Sequence, residues 1–107
     1  CGDGGFMYSP QEFSTAVRYG INTVAVVFNN SAFGASRWDQ THRYDGRFIG
    51  TDLANPDFVK LAESFGAVGM RTNSDGFGNA LGEALKANAP VLLEVPVPVE
   101  MPPFQIV

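Results

Sequence analysis

Reactive and strongly charged side chains are scarce in this sequence. Its 107 residues include one cysteine, Cys1, one histidine, His42, and one tryptophan, Trp38. A single cysteine cannot close an internal disulfide, which fits a reducing compartment. With no histidine near it in sequence, Cys1 reads as a small apolar residue at a strand end rather than a catalytic thiol. Positive charge is also sparse. Seven basic residues, scattered along the chain, stand against eleven acidic ones for a net charge of −4, which offers nucleic acid no basic patch. Long hydrophobic runs are missing too. The longest wholly apolar stretch, Val24 to Phe28, is far short of a bilayer span, and no charged segment leads into an apolar one at the N-terminus. The expectation is a soluble, cytoplasmic chain with neither nucleic acid nor membrane as a partner.

What remains is an ordinary globular composition, 45% hydrophobic, enough for one small core. Ser9-Pro10-Gln11-Glu12 has the grammar of a helix start: a hydroxyl cap, proline at the first helical position and a glutamate that can reach back. The spacing predicts a helix from Pro10 to Tyr19, with Phe13, Ala16 and Val17 on one face and Gly20 as its left-handed terminator. Thr23 to Phe28 is β-branched and apolar without alternation, as a strand covered on both faces must be. Asn29-Asn30-Ser31 ends it, because short polar side chains bond their own backbone and favour turns.

Further on, a short helix is expected over Ala35 to Thr41, followed by a loop through Gly46 and Gly50. Asn55-Pro56 repeats the pattern of cap and proline, ahead of an apolar stripe of Phe58, Leu61, Ala62 and Phe65 that Gly66 terminates. Ala67 to Arg71 reads as a strand. Ser74 can cap a helix that carries Phe77, Ala80, Leu81, Ala84 and Leu85 on one face, and Val91 to Val95 forms a last strand. Strands alternating with amphipathic helices argue for an α/β fold, an open and mostly parallel sheet with helices on both faces. Residues 96–107, with four prolines, should be an extended tail kept out of the sheet interior.

In such a sheet, ligands gather beyond the carboxyl ends of the strands. Two motifs fall there. Gly2-Asp3-Gly4-Gly5 would follow a strand that the sequence does not itself contain, and Asn30 follows Thr23 to Phe28, so the intervening helix is the crossover that brings them together. A carboxylate, an amide oxygen and a nearby backbone carbonyl suit a hard cation such as magnesium, with phosphate and water oxygens completing the octahedron. Gly4 and Gly5 have no Cβ to hold their amides away from a phosphate.

Either motif alone is common: GDGG is also an ordinary tight turn and Asn-Asn an ordinary strand terminator. Together, with the 24 residues from Gly5 to Phe28 between them, they resemble the thiamine diphosphate signature of GDG, about 25 residues, and NN. The resemblance extends along GDGGFMYSPQEFSTAVRYGINTVAVVFNNSAFGASRWDQ and GRFIGTDLANPDFVKLAESFGA, which look like the C-terminal diphosphate-binding domain of the acetolactate synthase and benzoylformate decarboxylase group. It implies a partial diphosphate- and metal-binding domain over residues 1–95, with thiamine diphosphate and Mg2+ as cofactors. Asp3, Asn30 and the carbonyl of Ala32 would be metal ligands. Gly2, Asp3, Gly4, Gly5 and Asn30 would hold the diphosphate, with a loop of Phe33, Gly34 and Ala35 closing over it.

The resemblance further implies a homo-oligomer in which the pyrimidine-binding domain of another subunit completes the site, and a 2-oxo acid substrate whose carbon-carbon bond is cleaved or joined. Activity from these residues alone is not expected, and no catalytic acid or base is identified among them. Ser36 stands where some relatives carry a catalytic carboxylate, and a hydroxyl cannot do the same acid-base work near neutral pH. His42 is expected to face solvent in a loop. Arg37 and Trp38 are expected to be structural, one exposed and one buried. Two other readings compete. One is a ligand-free α/β association module that pairs with itself through an exposed sheet edge. The other is a nicotinamide-binding Rossmann unit, which ranks last because Met7 stands where its fingerprint needs glycine.

Overall fold

The computed structural model describes residues Cys1–Val99. Eight elements follow in order: α1 (Asp3–Phe6), α2 (Glu12–Tyr19), β1 (Val24–Asn29), α3 (Gly34–Arg43), α4 (Phe58–Ser64), β2 (Val68–Arg71), α5 (Phe77–Lys86) and β3 (Val91–Pro96). The three strands form an open sheet in the order β1-β3-β2, and both pairings are parallel. The α/β class and the parallel sheet therefore match what the alternation of elements implies.

The last strand in sequence is the middle strand in space. All five residues from Val91 to Val95 are buried, so neither face of β3 meets solvent, as an apolar run in a parallel sheet requires. Val27 and Leu92 join Phe13, Phe58, Ala62 and Ala67 in the core on one face. Phe28 points the other way, because successive strand residues alternate, and its ring lies against Phe77 of α5, 6.3 Å between centroids. Helices α2 and α4 thus cover one face and α5 the other.

Several helix boundaries differ from the sequence reading. Helix α2 begins at Glu12 behind Gln11, with no side-chain cap, because residues 9–14 wind first through tight turns in which Glu12 N donates to Ser9 O and Phe13 N to Pro10 O. Helix α4 begins at Phe58, not at Pro56. Its cap is Asp57, whose Oδ1 accepts from Val59 N at 3.0 Å and Lys60 N at 3.2 Å. Before α5 it is Asn73 Oδ1, not Ser74, that accepts from Gly76 N at 2.9 Å. The C-terminal signals are accurate: Gly20 (φ 62°) and Gly66 (φ 84°) both take the left-handed conformation.

Pro96 is not outside the sheet. It closes β3 opposite Asn29 of β1, and the next residue still pairs, Val97 N donating to Asn29 O at 2.9 Å. Alternate amides of β3 point to alternate neighbours, so the donor that Pro96 lacks would face β2, which has already ended at Arg71. The remainder of the predicted tail beyond Val99 lies outside the described residues.

Candidate functional site

Cys1 and Gly2 run parallel to β1: Gly2 bridges Phe28, and Phe28 N donates to Cys1 O at 2.9 Å. These two residues make an isolated parallel bridge beside β1, outside the three strands, and Asp3 follows directly from it. Cys1 itself is exposed, its Sγ 3.4 Å from Val26 O. The glycine motif is then not a loop but α1, in which Phe6 N is the first amide to bond back, to Gly2 O at 2.9 Å.

A cleft of 310 Å³ opens at the carboxyl end of β1. Gly2, Asp3, Gly4 and Gly5 line one wall; Asn30, Ala32, Phe33, Gly34 and Ala35 line the other. The structure thus brings every predicted site residue to one place. Ser36 lies at its rim, on α3. The predicted closing loop is in fact a helix start: Gly34 and Ala35 form the first turn of α3 behind Phe33. A Cβ on Gly4 would meet the Phe33 ring, 2.8 Å from Cδ1, and crowd Leu53 Cδ1 at 3.1 Å, so a larger residue there requires Phe33 to move. Beside Gly5 there is open space.

Asp3 is 1% exposed, yet no cationic side chain pairs with it among the described residues. Its Oδ2 accepts from Asn55 Nδ2 at 2.6 Å. A buried carboxylate held by neutral amide hydrogens alone is a costly arrangement that a cation offsets. Asn30 Oδ1 accepts from Ala32 N at 3.1 Å, which fixes the amide orientation and leaves one oxygen lone pair free. Ser31 makes this tight turn with φ 55°.

Ala32 bridges Asp52 in antiparallel fashion, but the hydrogen bonds belong to its neighbours, Phe33 N to Thr51 O at 2.9 Å and Leu53 N to Ser31 O at 2.8 Å. The amide of Ala32 donates instead to Asn30 Oδ1, and its carbonyl takes no part in the hydrogen bonds of that bridge. No cluster of three or more His, Cys, Asp or Glu suited to a metal exists among the described residues. The available donors are one carboxylate, one amide oxygen and one carbonyl, an oxygen set that fits a hard divalent cation and not a metal that prefers thiolate or imidazole ligands.

Sequence reasoning missed the polar chain beneath the cleft. Asn55 reads from sequence as a helix cap, but its Nδ2 bridges Asp3 and Asn29 Oδ1, the latter at 3.0 Å. Asn29 Nδ2 donates to Glu94 Oε1 and Arg71 Nε to Glu94 Oε2, both at 2.7 Å. One signal was visible: Glu94 interrupts an otherwise apolar strand, and at 3% exposure such a carboxylate must have partners.

The remaining candidates take structural places. His42 is exposed as expected, but on the last turn of α3 and not in a loop. Its ring stacks on Trp38 with centroids 4.4 Å apart, and its Nδ1 lies 2.9 Å from Trp38 O. Arg37 and Trp38 do not divide into one exposed and one buried residue, since α3 buries none of its residues. Arg37 pairs with Asp52 and lies over the Phe48 ring, 4.1 Å from its centroid. No helix among the described residues is long and apolar enough to cross a membrane.

The comparisons with known proteins agree with this geometry. Residues 1–95 match the family model described as thiamine pyrophosphate enzyme, C-terminal TPP binding domain. The chain is 41% identical over 97 residues to acetolactate synthase of Bacillus subtilis, covering 90% of this chain and 17% of that one. It is 36% identical over 107 residues to the mitochondrial acetolactate synthase catalytic subunit of Saccharomyces cerevisiae, covering 99% and 16%. Among solved structures it superposes on the thiamine diphosphate-dependent 4-hydroxybenzoylformate decarboxylase of Rhodococcus jostii with a TM-score of 0.84 at 34% identity, covering 92% and 19%. It therefore spans less than a fifth of the length of each of these relatives. Cleft, donor set and matched residues together make this chain a member of the thiamine pyrophosphate enzyme family, within the C-terminal domain that binds thiamine diphosphate.

Proposed function

We propose that this chain is the diphosphate- and Mg2+-binding part of an acetolactate synthase-like enzyme that cleaves or joins the carbon-carbon bonds of 2-oxo acids. In this reading Asp3, Asn30 and the Ala32 carbonyl hold the metal. The metal and the amides of Gly4 and Gly5 grip the same diphosphate, while Phe33, Gly34 and Ala35 form the opposite wall. The cofactor, when bound, supplies the carbanion chemistry at its thiazolium ring, and these residues anchor its charged end. A pyrimidine-binding domain from another subunit of a cytoplasmic homo-oligomer completes the site, because the cleft here offers no group to act on the ring.

The observation that carries the proposal is the buried Asp3 carboxylate, which lines the cleft beside Asn30 and Ala32 without a cationic partner among the described residues. Calorimetric titration of the full-length chain with thiamine diphosphate, with and without Mg2+, tests it. Binding should require Mg2+ and disappear in Asp3→Ala. Binding that ignores Mg2+, or survives in that variant, would overturn the metal assignment.

A further inference from the structure

Asn55 sits in neither motif, yet it is the one described side chain that bonds the Asp3 carboxylate. We infer that Asn55 is a positioning residue, which orients Asp3 for the metal by tying it to a continuous chain of side chains across the carboxyl ends of all three strands. The inference rests on the metal-binding reading of the cleft and adds the residues that hold its ligand in place.

The chain can be followed atom by atom. An amide NH2 carries two hydrogens, and Asn55 spends both, one on Asp3 Oδ2 at 2.6 Å and one on Asn29 Oδ1 at 3.0 Å. Asn29, the last residue of β1, also accepts from Ser31 N at 3.0 Å and donates to Glu94 Oε1 of β3 at 2.7 Å. Glu94 Oε2 accepts from Arg71 Nε, at the end of β2, at 2.7 Å. Arg71 Nη2 donates in turn to Asp57 Oδ1 at 3.1 Å, the oxygen that caps α4. Asp57 lies two residues beyond Asn55, so the chain returns to the segment from which it started.

This closed circuit explains why the loop holds its place. Pro56 biases the preceding Asn55 toward extended backbone, and Leu53 N is bonded to Ser31 O at 2.8 Å. The loop is thus fixed on one side to the Asn30 turn and on the other to the α4 cap. With Oδ2 held by Asn55, the Asp3 carboxylate keeps one orientation, and its other oxygen is left for a metal. Removing such an outer partner of a metal ligand typically weakens metal binding about 10- to 100-fold.

Mn2+ replaces Mg2+ as a paramagnetic probe, titrated by electron paramagnetic resonance into the full-length chain with thiamine diphosphate in excess, alongside thermal unfolding of the metal-free protein. Asn55→Leu keeps the number and branching of the side-chain heavy atoms and deletes both donated hydrogen bonds. Its Mn2+ dissociation constant should rise about 10- to 100-fold, in protein that the metal-free melting curve shows to be folded at the temperature of the titration. Glu94→Gln breaks the chain away from the loop, and decides the matter if the Asn55 variant does not fold: Mn2+ binding should weaken, by less than in Asn55→Leu, and unchanged affinity would overturn the positioning role. Mn2+ affinity unchanged in the folded variant, with Asp3→Ala abolishing binding, would overturn the positioning role and leave the metal site standing. Failure of the wild-type chain to bind Mn2+ would overturn both.

Discussion

The ring of Phe6 stands edge-on to the ring of Phe58, with centroids 5.7 Å apart and planes at 76°. The same Phe6 ring meets Phe13 of α2 at 6.0 Å and 71°. Helix α1 has four residues, too few to persist by its own hydrogen bonds. Its stability comes from this aromatic cluster, and Asp3, one turn before Phe6, is set in place by the same packing. The core and the site are therefore mechanically one unit.

Truncating the centre of that cluster should be severe. Phe58 is fully buried, and Phe58→Ala should lower the unfolding free energy by about 3–5 kcal/mol, a large share of the roughly 5–15 kcal/mol that a domain possesses. Denaturant titration measures this. A loss under about 1 kcal/mol would mean that the cluster collapses around the cavity and does not anchor α1.

Two glycines should fail for different reasons. A Cβ on Gly69 would meet the backbone of Val59, 2.8 Å from its Cα and 2.9 Å from its carbonyl carbon. Strand β2 and helix α4 would have to separate, so Gly69→Ala should cost stability at the scale of overpacking, about 1–3 kcal/mol. A Cβ on Gly4 meets instead the ring of Phe33, a side chain that can swing aside into the cleft. Gly4→Ala should therefore cost less stability and more cofactor affinity, and Gly4→Ala with Phe33→Leu should recover part of the affinity. Equal melting temperatures for the two single variants would contradict this division.

The sequence makes the fold and the walls of the cleft legible because both rest on local patterns. The buried strand, the apolar helix stripes, Gly20 and Gly66 each depend on a few neighbouring residues. The spacing between Gly5 and Asn29 then places two strand ends side by side. What is not legible depends on contacts between distant residues. Asn55-Pro56 and Asp57 both satisfy the grammar of a helix start, and only the proximity of Asp3, 52 positions away, decides that Asn55 turns into the site and Asp57 becomes the cap. Cys1 and Gly2 likewise show no strand signature in two residues; only their contacts with Val26 and Phe28 set them alongside β1.

The same cap makes stability depend on pH. The backbone N–H of Lys60 holds the Asp57 carboxyl below its ordinary value of 3.8, the charge of Arg71 and the Val59 N–H add to this, and partial burial opposes it. The folded protein thus binds this proton more weakly than the unfolded chain does. The stability gained is fully present above the ordinary carboxylate pKa and is lost as pH falls through the lower folded value. Arg71, raised chiefly by its hydrogen bond to Glu94, stays cationic throughout that window. Asp57→Asn retains a good capping oxygen but has nothing to titrate. Unfolding measured from pH 6 down to about pH 3 should show the wild-type chain more stable at the upper end, with the difference from Asp57→Asn shrinking as the carboxyl takes up its proton. A difference that stays constant over the whole range would mean that Asp57 acts through its shape alone, and that its charge contributes nothing to holding Arg71 and the chain that leads to Asp3.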